Sequence, residues 1–89
     1  MTKSGKNKKS EEELRQELMD DLLVGRLTPQ QAARRMRKIV GLSQADYAKQ
    51  LGIAERTYID FERGVGNPTL DTLNKIGGPF GVKMVYYPA

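Results

Sequence analysis

Between Gln44 and Arg63 the chain reads QADYAKQLGIAERTYIDFER, and most side chains with chemistry to offer crowd into its second half. Glu55, Arg56, Thr57, Asp60 and Arg63 lie close together, with Gln44 before them and Asn67 after. Arg56 presents a planar fork of donors suited to paired acceptors, whereas ionised Glu55 and Asp60 only accept. This is the chemistry of hydrogen-bonded recognition. Bond-making has little to work with, because the 89 residues include no histidine and no cysteine. The commonest general base, a thiolate nucleophile and the nitrogen and sulfur ligands of zinc are all missing. The remaining carboxylates, lysines and tyrosines are scattered, so neither an enzyme nor a cofactor is expected. A plainer reading of Arg56 and Asp60 stands beside the recognition reading. Four residues apart on a helix, they suit a surface ion pair of ~0.2–0.5 kcal/mol.

The net charge of +4 favours a polyanionic partner, though weakly. Its distribution says more. Lys3, Lys6, Lys8 and Lys9 form a basic tail; Glu11, Glu12, Glu13, Glu17, Asp20 and Asp21 make the next segment acidic; Arg26, Arg34, Arg35, Arg37 and Lys38 restore the positive sign. No apolar run approaches the roughly 20 residues that span a bilayer, and the basic start lacks the apolar core of a signal peptide. A cytoplasmic protein without a membrane partner is expected. A single domain this short is marginal as a monomer, so an oligomer is a reasonable way to add buried area.

The elements that must position these residues follow from caps and periodicity. Residues 1–9 are expected to be a disordered basic tail, either solubilising or touching phosphates. Residues 10–25 read as an acidic amphipathic helix. Ser10 and Glu13 form a capping box, Leu14, Leu18 and Leu22 form the apolar stripe, and Gly25 is the stop. Its acidic face is either a solvated surface or a site for a basic protein partner. Thr28, Pro29 and Gln31 open the next helix and Gly41 closes it. Ser43 caps a short helix reaching Leu51, and Gly52 turns the chain. A second short helix runs from about Glu55 to Arg63, with Gly64, Gly66 and Asn67-Pro68 as a loop. Thr69 caps a helix carrying Leu70, Leu73 and Ile76, and Gly77-Gly78-Pro79 is expected to weaken or break it. In the last segment Val82, Met84 and Tyr86 alternate with Lys83, Val85 and Tyr87, which is strand periodicity. A lone strand leaves both edges unpaired. The simplest partner is the same strand of a second copy, antiparallel about a two-fold axis; pairing with a different protein and a disordered tail are the alternatives.

The runs LSQADYAKQLG, IAERTYIDFERG and NPTLDTLNKI resemble the helix-turn-helix of the phage Cro and repressor superfamily, often called the XRE family. The likeness covers about residues 28–82. Physical reasons support it: Ala48 lets two helices cross closely, and Tyr47, Leu51, Ile53, Tyr58 and Phe61 fall at inward spacings and read as core. The tyrosine hydroxyls must then reach water or a partner. The resemblance implies an all-α, lambda-repressor-like helix-turn-helix bundle over residues 26–81. To it are added the N-terminal helix and, over residues 82–89, a short C-terminal β-strand that pairs in a dimer. It also implies that Glu55, Arg56, Ile59 and Asp60 face base edges, and that Gln44, Thr57, Arg63 and Asn67 face phosphates. Val82, Met84, Val85, Tyr86 and Tyr87 would hold a homodimer. Arg37 and Glu62 match a pair buried between helices in related repressors, and a structural role is expected of them. Two departures stand out. Ala54 replaces the usual capping Ser or Thr, and GGPFG replaces the usual helical turn after Ile76.

A helix-turn-helix followed directly by one short strand resembles HipB-type antitoxins. That likeness implies a repressor of its own operon, bound to a palindromic double-stranded DNA operator and to a cognate toxin. A stand-alone or phage-type repressor is the first alternative. An interaction module that kept the fold and lost DNA readout is the second.

Overall fold

The computed structural model describes residues 9–83, which form five helices and one 3-10 turn. They are α1 (Glu11–Leu23), α2 (Pro29–Val40), α3 (Gln44–Leu51), α4 (Glu55–Glu62) and α5 (Leu70–Gly77), with the 3-10 turn at Gly78–Phe80. Local chemistry sets most boundaries. Ser10 with Glu13, and Thr28 with Gln31, form reciprocal capping boxes. The Ser43 hydroxyl accepts from the Asp46 amide at 3.1 Å, and that of Thr69 from the Thr72 amide at 3.1 Å. Each hydroxyl thus satisfies an amide that lacks an intrahelical partner. Gly52, at φ 75°, ends α3 and turns the chain toward α4. A side chain there would strain the left-handed backbone the turn requires.

Burial follows the inward spacings. Leu18, Ala33, Met36, Tyr47, Ala48, Tyr58, Phe61, Ile76 and Phe80 are buried together, and Leu51 and Ile53 are half-buried against them. Ala48 is fully buried, as close packing of α3 on α4 demands. The rings of Tyr47 and Tyr58 meet edge to face, with centroids 5.6 Å apart. The N-terminal helix is part of this body. Leu18 is fully buried, Asp21 pairs with Arg35 of α2 at 2.6 Å, and the Arg15 guanidinium lies 4.2 Å above the Phe80 ring.

The structure bears out one expectation and corrects another. The Gly-Gly-Pro segment ends the α-helix as expected: α5 stops at Gly77 and the chain tightens into the 3-10 turn, which Gly81 closes at φ 71°. Pro79 sits where a missing amide is tolerated, and burial of Phe80 under Arg15 holds the turn. Secondly, Val82 and Lys83, the first residues of the expected strand, are irregular, and no strand occurs among the described residues. The Val82 amide is already used, donating to the Gly77 carbonyl at 3.1 Å. Met84, Val85, Tyr86 and Tyr87 lie outside the described residues, as do residues 1–8.

Candidate nucleic-acid interface

The residues with recognition chemistry share one face of α4. Glu55, Arg56, Ile59 and Asp60 fall at helical spacings opposite the buried Tyr58, Phe61 and Glu62. Glu55, Arg56 and Thr57 are exposed, while Ile59 and Asp60 are half-buried at the margin. The side chain of Arg56 is 75% exposed, and its guanidinium lies 3.7 Å from the Asp60 carboxylate. That is too long for a hydrogen bond and leaves the donor fork free. Arg63 and Asn67 are exposed beyond the C-terminus of the helix. Ala54, at the N-cap position, makes no side-chain capping bond. The amides at the start of α4 therefore face outward with no side chain to satisfy them.

The other end of α4 is fixed by its last residue. Glu62 is only 4% exposed, yet it is charged and surrounded by donors. Arg37 grips both carboxylate oxygens, Nε at 2.7 Å from Oε2 and an Nη at 3.1 Å from Oε1. Gln44 Nε2 donates to Oε1 at 3.0 Å, and the Tyr58 hydroxyl donates to Oε2 in a short contact. Arg34 adds its guanidinium at 3.8 Å and donates to the Glu62 backbone carbonyl at 2.8 Å. That last bond satisfies a carbonyl the helix leaves open, at an end whose last turn has no basic residue of its own.

The electrostatic consequences are directional. Burial pushes the Glu62 carboxyl up, but hydrogen bonds from Arg37, Tyr58 and Gln44 outweigh it and hold the group below the usual carboxylate range. The bond to Glu62 raises the Arg37 guanidinium further against its own burial. Burial, then the bond to Glu62, pushes the Tyr58 phenol far above its ordinary value. Burial also pushes Tyr47 up to about 12, and its hydroxyl has no hydrogen-bond partner among the described residues. The expectation that both tyrosine hydroxyls find partners is thus met only at Tyr58.

Sequence reasoning placed Gln44 toward phosphate, but its side-chain amide is turned onto Glu62. It missed Arg34 altogether. The available signal was the spacing of Arg34 and Arg37, three residues apart and hence on one face of α2.

A helix-turn-helix family profile matches residues 34–87, more than half of the chain. The chain belongs to the helix-turn-helix family. This helix-turn-helix chain is also similar to an uncharacterised HTH-type transcriptional regulator of Methanocaldococcus jannaschii. The two are 42% identical over 48 residues, which cover 54% of this chain and 73% of the relative. No solved structure gives a significant match.

Proposed function

We propose that the chain is a sequence-specific, double-stranded-DNA-binding transcription repressor that reads base edges in the major groove with the outer face of α4. The observation that carries this reading is the contrast across α4. Its inner end is locked by the buried Glu62 network, while Arg56 on the outer face keeps its donor fork exposed. Arg56 matches guanine O6 and N7, and Glu55 can accept from a cytosine amino group. Asp60 steers Arg56, and Ile59 offers apolar contact. Thr57, Arg63, Asn67 and the N-terminal end of α3 at Gln44 lie toward the phosphates. Because Gln44 already bonds Glu62, it contributes to the phosphate contact by orienting α3 more than by donating freely.

One copy reads half a site, so a homodimer on a palindromic operator with half-sites about 34 Å apart completes the reading. Val82, Met84, Val85, Tyr86 and Tyr87 are the proposed dimerisation segment. Within this reading the chain serves as the antitoxin of a toxin pair. The exposed carboxylates of Glu11, Glu12, Glu13 and Asp20 on α1 favour this, since they face away from the body and suit a basic protein partner.

The test is binding to the promoter upstream of the chain's own gene, by anisotropy over a salt series. Arg56→Ala is expected to lose about 1–3 kcal/mol on the operator and little on random duplex. Arg63→Ala is expected to weaken both and to lower the salt slope by about one. Equal, sequence-independent binding by wild type and Arg56→Ala would refute readout through α4. Purification with the product of a neighbouring gene, lost on Glu12→Lys and Asp20→Lys substitution, tests the antitoxin reading separately.

A further inference from the structure

Two guanidinium groups converge on the single carboxylate of Glu62, and they are not equivalent. Arg37 takes both oxygens, at 2.7 and 3.1 Å, and its side chain is only 16% exposed. Arg34 stands 3.8 Å from Oε1, beyond hydrogen-bond reach, and its side chain is 42% exposed. Among the described residues its hydrogen bond goes from an Nη to the Glu62 backbone carbonyl at 2.8 Å. A guanidinium has five N–H donors and keeps its charge. Arg37 already balances the carboxylate, so the cluster holds one positive charge in excess, on a fork with donors to spare. The place of that excess matters. The carbonyl that Arg34 grips is joined directly to the amide of Arg63, which is exposed. Gln44, the first residue of α3, donates to the same carboxylate at 3.0 Å, which brings the start of α3 to the cluster. The leading amides of a helix lack intrahelical partners and favour an anion.

We infer that Arg34 is a phosphate-binding residue, which together with Arg63 and the start of α3 holds one phosphate of the DNA backbone at the C-terminal end of α4. This rests on the proposed reading of DNA by α4 and adds a contact to it. A second guanidinium beside a carboxylate already gripped by Arg37 gains little from that carboxylate. It gains more from a ligand that brings its own negative charge, since bonds between guanidinium and phosphate are charge-assisted. The bond to the Glu62 carbonyl holds the fork in place while its remaining donors meet the phosphate. One side chain thereby ties the end of α4 to the duplex backbone. Such a contact supplies affinity and register and carries no sequence.

The test reads the salt dependence of binding to a random-sequence duplex, by anisotropy on the full chain. Arg34→Gln should lower the slope of log K against log salt by about one, and weaken operator and random duplex in the same proportion. Arg34→Lys keeps the charge and should keep the slope. Arg35→Gln removes the same charge one residue away, where Arg35 pairs with Asp21 of α1, and should leave the slope as in wild type. A residue that only braces the helix would lower the thermal midpoint and the preference for operator without moving the slope. A second readout needs no variant: in the wild-type chain the Arg34 Nε–H resonance should shift when random duplex is added, and that of Arg37 should move less. An unchanged slope in Arg34→Gln, an equal change in Arg35→Gln, or a stationary Arg34 resonance overturns the inference. So does a wild-type chain that binds no duplex at low salt. Equal binding of operator and random duplex would refute base reading alone, because the Arg34 contact is measured on random duplex.

Discussion

The two ends of α4 are built to opposite rules. At its C-terminal end, Glu62 is buried and held by Arg37, Gln44, Tyr58 and Arg34, drawn from three helices. At its N-terminal end, Ala54 supplies no cap, Glu55 and Arg56 are exposed, and the pair with Asp60 is loose. Tertiary structure fixes where the helix points; the outward chemistry at the other end is left uncommitted. A buried ion pair is weak evidence for stability in itself, because desolvation offsets its attraction. Its use here is orientation, since removing any member leaves others buried and unpaired.

The largest effect should therefore come from Glu62→Ala. It strands Arg37, whose side chain is only 16% exposed, and deprives Gln44 and Tyr58 of their acceptor. A loss of about 3 kcal/mol in urea unfolding is expected, the low end for a buried pair because Arg37 retains some solvent. A loss under ~0.5 kcal/mol would show that the anchored end is no different from the outer one. The pH response sharpens the same point. The folded Glu62 carboxyl is depressed, so its contribution is present above the unfolded value of about 4.3 and is lost as pH falls below it. Glu13, depressed by its bonds to Ser10, acts in the same direction. Tyr47 and Tyr58 are raised, so their contribution is present below about pH 10 and is lost as pH climbs toward their folded values. Stability should form a plateau with shoulders at both ends. Glu62→Gln should flatten the acid shoulder and leave most of the alkaline one, which stability measured across a pH series would show.

The paired tyrosines give a smaller but cleaner test, because they share a core and differ in their hydroxyls. Tyr58→Phe removes a donor to a buried carboxylate and should destabilise by about 1–2 kcal/mol. Tyr47→Phe removes a hydroxyl that is buried and unpartnered among the described residues, and should be neutral or stabilising. Matching losses at both positions would mean that ring packing, and not the Glu62 network, sets the cost.

Much of this was legible because it is local. Ser10, Thr28, Ser43 and Thr69 announce their helices, and Gly41 and Gly52 their ends, through bonds and backbone angles that need no knowledge of the rest of the fold. The inward set around Ala48 was legible for the same reason. What the sequence hid depends on partners brought from afar. The spacing of Arg34 and Arg37 puts both on one face of α2, but it does not say that Arg34 reaches a carbonyl 28 positions away, nor does anything local say that Gln44 turns inward to a carboxylate. The Gly-Gly-Pro segment breaks α5 as its local rules require, but the 3-10 turn that follows depends on burial of Phe80 under Arg15, which those rules do not reveal.

The smallest effects on stability belong to the outer end. Ala54→Ser should add about 1 kcal/mol by capping an amide that no side chain now satisfies. The backbone there, φ −58° and ψ 137°, already suits an N-cap. Arg56→Ala should change stability by no more than ~0.5 kcal/mol, because an exposed pair at 3.7 Å carries little. Combined with DNA binding, these two variants divide the functions of that end. If the open N-terminus of α4 is completed by phosphate, Ala54→Ser should stabilise the free chain yet gain less than that in binding, because the serine hydroxyl competes for the same amide. A gain in affinity equal to or above the gain in stability would instead mean that fraying, and not an anion site, is what the missing cap imposes.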